Sequence, residues 1–340
     1  MSAMLQGCYV LKLGLEQNGL MNSRRSLEDV IADPATSEKT RKGLIWSQEV
    51  MNWAKAQGFH AAGAYEHYVE IGRPVVSWVV QAAEADRLKS RTWWFPVVGS
   101  VPYLGYFSQI ERDEMAESLR REGYDVAVGG VGAFSSLGWF ADPMYSSMLR
   151  RDEAELAHLL FHELTHRTYW APGSVEFNEN LAEFVADEMT ERFLKEKSML
   201  EPLENLRKRR SDRELLRRWI RELRVELEKI YTPPGRPAEI QEVLAQKRRI
   251  IDTFTRERKP AFALTDLVEG VAWNNASLLG ASLYSPDTSR FQAAWRCSGS
   301  KNPGVFIKDF EVVVKKEKDV FKALDVMAAG CREEPSREPK

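Results

Sequence analysis

The chain has 340 residues, room for one large or two ordinary domains, and its 44% hydrophobic and 10% aromatic content can build a sizeable core. A formal net charge of −2 gives no reason to expect a nucleic-acid partner. No stretch reaches the roughly 18 to 20 apolar residues of a membrane span, and Cys8, Cys297 and Cys331 lack the spacing of a cysteine metal site.

Taken in chain order, residues 1–73 form an N-terminal segment that reads as mostly helical over 9–70, with Leu44, Val50, Met51 and Trp53 among its apolar positions. Residues 74–150 are β-rich. Pro74–Val80 is short and β-branched, and Trp93–Val98 and Val101–Phe107 read as two strands around a Gly99-Ser100 turn. Glu111–Glu122 reads as an amphipathic helix ended by Gly123, and Tyr124–Val128 and Val131–Phe140 as two further strands.

Residues 151–198 carry two helices. Asp152-Glu153-Ala154-Glu155 has the pattern of a capping box. Leu156, Leu159, Leu160 and Leu164 continue a helical apolar stripe to about Tyr169, where Ala171-Pro172-Gly173 stops it. The second helix starts near Glu176, and the short connection makes the two neighbours. Residues 199–258 predict an antiparallel helical hairpin. Leu216, Ile220, Leu223, Leu227 and Ile230 follow a 4,3,4,3 spacing, and Ile240 to Phe254 give a returning stripe after a Pro/Gly turn. Arg207–Arg210 and Arg217-Arg218 are interleaved with glutamates, as on a solvated face. Residues 259–331 are a C-terminal helical part with a helix over Trp273–Tyr284, and the charged 332–340 read as a disordered tail. The fold class expected is α+β, mainly α.

The chemistry concentrates in His162-Glu163-Leu164-Thr165-His166. Histidines at i and i+4 share one helix face and can converge on a single metal ion. A hydrolytic zinc site takes three protein ligands and keeps one position for water. Glu179, on the second helix, is the expected third ligand of one Zn2+, and Glu163 the base beside the water. Glu183 lies one turn beyond Glu179 and is either a partner that orients His162 or a surface glutamate. His158 extends the histidine face by a turn as a supporting residue.

From Phe161 to Val185 the chain resembles the gluzincins, peptidases whose third zinc ligand is a glutamate on a downstream helix. Phe177-Asn178-Glu179-Asn180-Leu181-Ala182 is similar to the Leu-Asn-Glu-Gly-Phe-Ala block of large zinc aminopeptidases. A nearer resemblance is to a smaller bacterial family of predicted aminopeptidases, with His-Glu-Leu-Ala-His and, twelve residues on, a glutamate within Phe-Asn-Glu-Ser-Phe-Ala. It extends to Trp93-Trp94-Phe95-Pro96, Gly105-Tyr106-Phe107, Leu137–Pro143, and Asn274-Asn275-Ala276 with Tyr284. Relatives tend to carry cysteines near 94 and 100, where this chain has Trp94 and Ser100, and often a glutamate where it has Ala186, followed by Asp187.

The resemblance implies zinc-dependent peptide hydrolysis by an aminopeptidase. The alternatives are an endo-acting metallopeptidase and an inactive metal-binding interaction protein of the cell envelope. It also implies a small sheet whose edge strand pairs with a peptide substrate, expected at Gly132-Ala133-Phe134-Ser135-Ser136, and an oxyanion-stabilising tyrosine, expected at Tyr284 with Tyr231 as second choice. Asp142 is the candidate anchor for a substrate amino group, or else a turn cap. Leu5-Gln6-Gly7-Cys8 resembles a lipoprotein cleavage site, implying a lipid anchor at Cys8 and a place in the bacterial envelope or periplasm; the given start favours the cytoplasm if it is the true one. Cys297 and Cys331 are expected as free thiols, with pairing as the alternative.

Overall fold

The computed structural model describes residues 19, 21–95, 99–131, 142–231, 237–258, 261–263, 270–283 and 287–330. In chain order come β1 (Arg25–Ser26), α1 (Leu27–Ala32), α2 (Glu38–Ala56), β2 (His67–Val69), β3 (Ser77–Glu84), β4 (Trp93–Phe95), β5 (Gly99–Val101) and β6 (Leu104–Tyr106). Next are α3 (Gln109–Arg121), β7 (Tyr124–Val131), β8 (Met144–Tyr145), α4 (Glu153–Thr168), α5 (Val175–Glu196), α6 (Leu200–Tyr231) and α7 (Pro237–Arg258). The described part closes with α8 (Asn275–Leu283), α9 (Ser289–Ser298), α10 (Pro303–Glu317) and α11 (Val320–Ala329). The protein is mainly helical with small sheets, as the α+β, mainly α expectation has it.

The chain divides into two compact units that interleave in sequence. One comprises 1–24, 69–134 and 207–285; the other 25–68, 135–206 and 286–340.

In the first unit an antiparallel sheet of order β6-β3-β7 has β3 at its centre, with Val80 opposite Leu104 on one side and Val128 on the other. Val80, Ala82, Leu104 and Val126 pack with Ala116 and Leu119 of α3, which begins at a Ser108 cap. β3 starts later than the β-branched run suggested. Tyr124 to Val131 is one strand, because pairing with β3 continues through Gly129 and Gly130 to Val131. Gly99 and Ser100 are not a turn: they pair with Phe95 and Trp94 in an antiparallel ladder, and 96–98 lie outside the described residues. The α6 and α7 stripes pack together, burying Ile220, Leu223, Leu227 and Ile251 with Leu278 of α8. Lys247 of α7, itself buried, holds Asp125 Oδ2 and the Ala85 carbonyl, each at 2.8 Å.

The second unit is built on α4 and α5. Asp152 accepts from the Glu155 amide at 2.8 Å, and the Glu155 carboxylate accepts from the Asp152 amide, completing the capping box. The turn to α5 uses Gly173 at φ +78°, a left-handed conformation that costs glycine little. Phe161 of α4 and Phe177, Phe184 and Phe193 of α5 are fully buried, against Trp53 of α2, Phe291 of α9 and Phe310 of α10. The segment read as mostly helical, 9–70, also carries β1 and β2, which with β8 form a sheet of order β1-β2-β8.

Among the described residues no helix is long and apolar enough to cross a membrane. Cys297 is disulfide-bonded, in place of the expected free thiol, and its partner lies outside the described residues.

Candidate metal centre

The site grows out of the α4–α5 hairpin. His162 and His166 stand one turn apart on α4, and their Nε2 atoms approach to 3.2 Å. Across the interface the Glu179 carboxylate spans both, with Oε2 at 3.4 Å from His162 Nε2 and Oε1 at 3.5 Å from His166 Nε2. Donors held about 2.1 Å from an ion at tetrahedral angles lie about 3.4 Å from one another. The three side chains therefore already have the mutual spacing of a closed face around one cation, and their donor set of two imidazoles and a carboxylate suits zinc and other first-row ions.

Two features hold this face. Asn178, next to Glu179 and buried, accepts from the Ala171 amide at 2.8 Å and donates to the Ala171 carbonyl at 2.9 Å, which ties the start of α5 to the turn. The Trp170 ring packs edge-on against His166, with centroids 5.5 Å apart. Thr165 and Thr168 bond back to the carbonyls one turn earlier, so their hydroxyls are satisfied on the helix itself.

The electrostatics follow from burial and pairing. Burial by itself lowers His162, but the Glu179 and Glu183 carboxylates outweigh it and lift it to about 10. His166 is pushed down to about 4 by burial and by the charge on His162. Burial works to raise Glu179, but the two histidines hold its carboxyl below the ordinary range. The group thus keeps one proton between two imidazoles, a place that a cation can take.

Glu183 stands with Oε2 at 3.7 Å from His162 Nδ1 and Oε1 at 3.7 Å from His158 Nε2, and His158 Nε2 is 3.2 Å from Asp187 Oδ1. Glu163 lies within electrostatic reach of His162, Tyr65 and Arg151. Neither Tyr65 nor Arg151 stands in a motif that would mark it in the sequence. Tyr65 sits in the loop before β2 at φ 55°, buried, with no hydrogen-bond partner for its hydroxyl among the described residues. Burial and the Glu163 and Asp142 carboxylates push that hydroxyl far up. A non-glycine residue in this conformation beside a candidate base is the kind of strain that gathers at functional sites, but it has no signature in composition or spacing.

Of the other expected site residues, Asp142 and Tyr231 are among those described. Asp142 is only 7% exposed, and its carboxylate faces the Arg167 guanidinium at 3.4 Å, so its charge is already met within the protein. Tyr231 donates its hydroxyl to Asn275 Oδ1 at 2.7 Å. Gly132, Ala133, Phe134, Ser135 and Ser136, Tyr284, Cys8 and the tail 332–340 lie outside the described residues. A cavity of about 530 Å³ in this unit, bounded by Gln48, Met51, Lys55, Tyr65 and His67 among others, contains none of the candidate metal ligands.

Fold and site together define a protein with a candidate metal-binding face built between two adjacent helices. The chain belongs to the Aminopep family, described as "putative aminopeptidase", whose model matches residues 8–322. That description suggests peptidase activity. No curated protein and no solved structure matches the chain.

Proposed function

We propose that this protein is a zinc-dependent peptidase, acting as an aminopeptidase, in which His162, His166 and Glu179 hold one Zn2+. The convergence of His162 Nε2, His166 Nε2 and the Glu179 carboxylate to 3.2–3.5 Å, with Glu163 next to His162 in the chain, carries the reading. Family membership supports peptide hydrolysis as the reaction. A zinc ion bound there would supply Lewis acidity toward the scissile carbonyl and make an attacking water more acidic.

The chain's own residues do the rest. Glu163 accepts a proton from the attacking water and returns it to the leaving amine. Glu183 steadies His162 from the Nδ1 side, which keeps Nε2 directed at the ion. Tyr65 and Arg151 frame Glu163. Tyr284 is the proposed partner for the developing oxyanion, and Gly132–Ser136 the strand that pairs with the peptide backbone.

We place the protein in the bacterial envelope, anchored by lipid at Cys8. The disulfide at Cys297 supports an oxidising compartment.

The test is a hydrolysis assay of the zinc-loaded chain on free aminoacyl reporters and on N-blocked peptides. The aminoacyl reporters should be cleaved, and Glu163→Gln should keep one zinc at this face while losing at least about 100-fold in rate. Undiminished hydrolysis by Glu163→Gln would refute the assignment of the base. Cleavage of blocked peptides alone would replace the exo reading by an endo one.

A further inference from the structure

The metal face is one rung of a longer ladder. His158, His162 and His166 recur every four residues on α4, and Glu179, Glu183 and Asp187 every four on α5. Residues spaced by four share one helix stripe. His166 meets Glu179 while His158 meets Asp187, so the helices run antiparallel and the two stripes face each other along three turns.

The proposed catalytic ion uses only one end. At the other end His158 Nε2 lies 3.2 Å from Asp187 Oδ1 and 3.7 Å from Glu183 Oε1, and one donor atom from each of the three falls within 4.8 Å of the others. For oxygens and a nitrogen about 2.1 Å from a common ion, these separations correspond to angles of about 100° and 125°, which bracket the tetrahedral value. All three side chains are largely withdrawn from water, at 16%, 15% and 9% exposure.

We propose that His158, Glu183 and Asp187 form a second divalent-cation site. One imidazole nitrogen and two carboxylate oxygens make a harder donor set than the two-imidazole face beside it, so it takes Mn2+ as well as Zn2+. The centres of the two sites are offset by about six residues along each helix, about 9 Å at a rise of 1.5 Å per residue. That exceeds the 3.5–4 Å, roughly, of a two-metal clamp on a single substrate atom. The second ion therefore acts on the protein and not on the peptide. Its lever is Glu183, whose Oε1 faces the second site while Oε2 faces His162 Nδ1. An ion at the second site fixes that carboxylate and, through it, the His162 ring, so filling either site should tighten the other.

The test strips the full chain with a chelator and titrates it with Zn2+ alone, then Mn2+ alone, counting bound metal by elemental analysis after desalting. The parent should bind two zinc ions. Asp187→Asn and His158→Gln should each bind one, with helical circular dichroism unchanged, and the His162→Ala/His166→Ala double variant should also keep one. Bound Mn2+ in that double variant should broaden the electron paramagnetic resonance signal of the free ion, a direct readout that does not depend on Asp187→Asn folding. A parent that binds one ion, with none left in the double variant, overturns the second site and leaves the catalytic reading intact. A parent that binds a single ion, absent from Asp187→Asn but present in the double variant, supports the second site and removes the catalytic zinc.

Discussion

Replacing Asn178 by alanine tests how the hairpin holds its carboxylate in place. The side chain is 1% exposed and closes two hydrogen bonds on one residue, the amide and the carbonyl of Ala171, itself buried in the turn. Alanine leaves the buried Ala171 amide without its partner, while the carbonyl keeps the Ser174 amide at 3.3 Å. Each buried polar group stranded this way costs about 1–3 kcal/mol. The turn is next to solvent at Pro172 and Gly173, so water can reach part of it, and the lower half of that range, about 1–2 kcal/mol, is the expected loss of stability. The consequence for the site is separate. Glu179 follows Asn178 directly, so loosening the first turn of α5 moves the carboxylate that spans the two imidazoles. Loss of such supporting contacts typically weakens metal affinity about 10–100-fold. Urea denaturation of the metal-free protein reads the first effect, and zinc titration against a competing chelator under folding conditions reads the second. A loss below about 0.5 kcal/mol together with unchanged zinc affinity would refute the pinning role.

In the metal-free protein the histidine pair should impose a pH profile. His162 is raised to about 10, so its contribution to stability is complete below 6.5 and fades as pH rises through 10. His166 is lowered to about 4, so its contribution is present above 6.5 and is lost as pH falls through 4. The melting-temperature gap between the parent and His162→Ala should narrow from pH 7 to 10, and a constant gap would contradict the pairing with Glu179 and Glu183. Lys247→Met leaves the Asp125 carboxylate without its ammonium partner in a buried setting and should cost about 3–5 kcal/mol by chemical denaturation; a change under 1 kcal/mol, roughly, would show that water reaches the pair. Gly304→Ala puts a methyl group onto the Gln57 carbonyl oxygen, which backbone cannot cheaply yield, so a loss of about 1–3 kcal/mol is expected, and a neutral outcome in thermal melts would mean that α10 shifts freely.

How much of this was legible beforehand varies with the range of the interactions involved. The capping box, the i, i+4 histidines, the stop at Ala171-Pro172-Gly173 and the hairpin stripe are all local. Each depends on residues within a few turns, where helical geometry fixes which side chains share a face. The short α4–α5 connection then made it reasonable to expect Glu179 opposite the histidines. The strands were less legible. Gly99 and Ser100 carry turn residues in a paired strand, and Gly129 and Gly130 interrupt the β-branched pattern without interrupting β7, because pairing with β3 supplies what local propensity lacks.

Along its own length, then, the chain specifies helices and the stripes they present, because a helix closes its hydrogen bonds within itself. Only tertiary structure could decide what those stripes meet. It commits Asp142 to Arg167 and Tyr231 to Asn275, sets Tyr65 beside Glu163 from a loop about a hundred residues away in sequence, and aligns His158 with Asp187. Charge pairing and burial act between groups that are close in space however far apart they are in sequence, so no spacing in the sequence could report them.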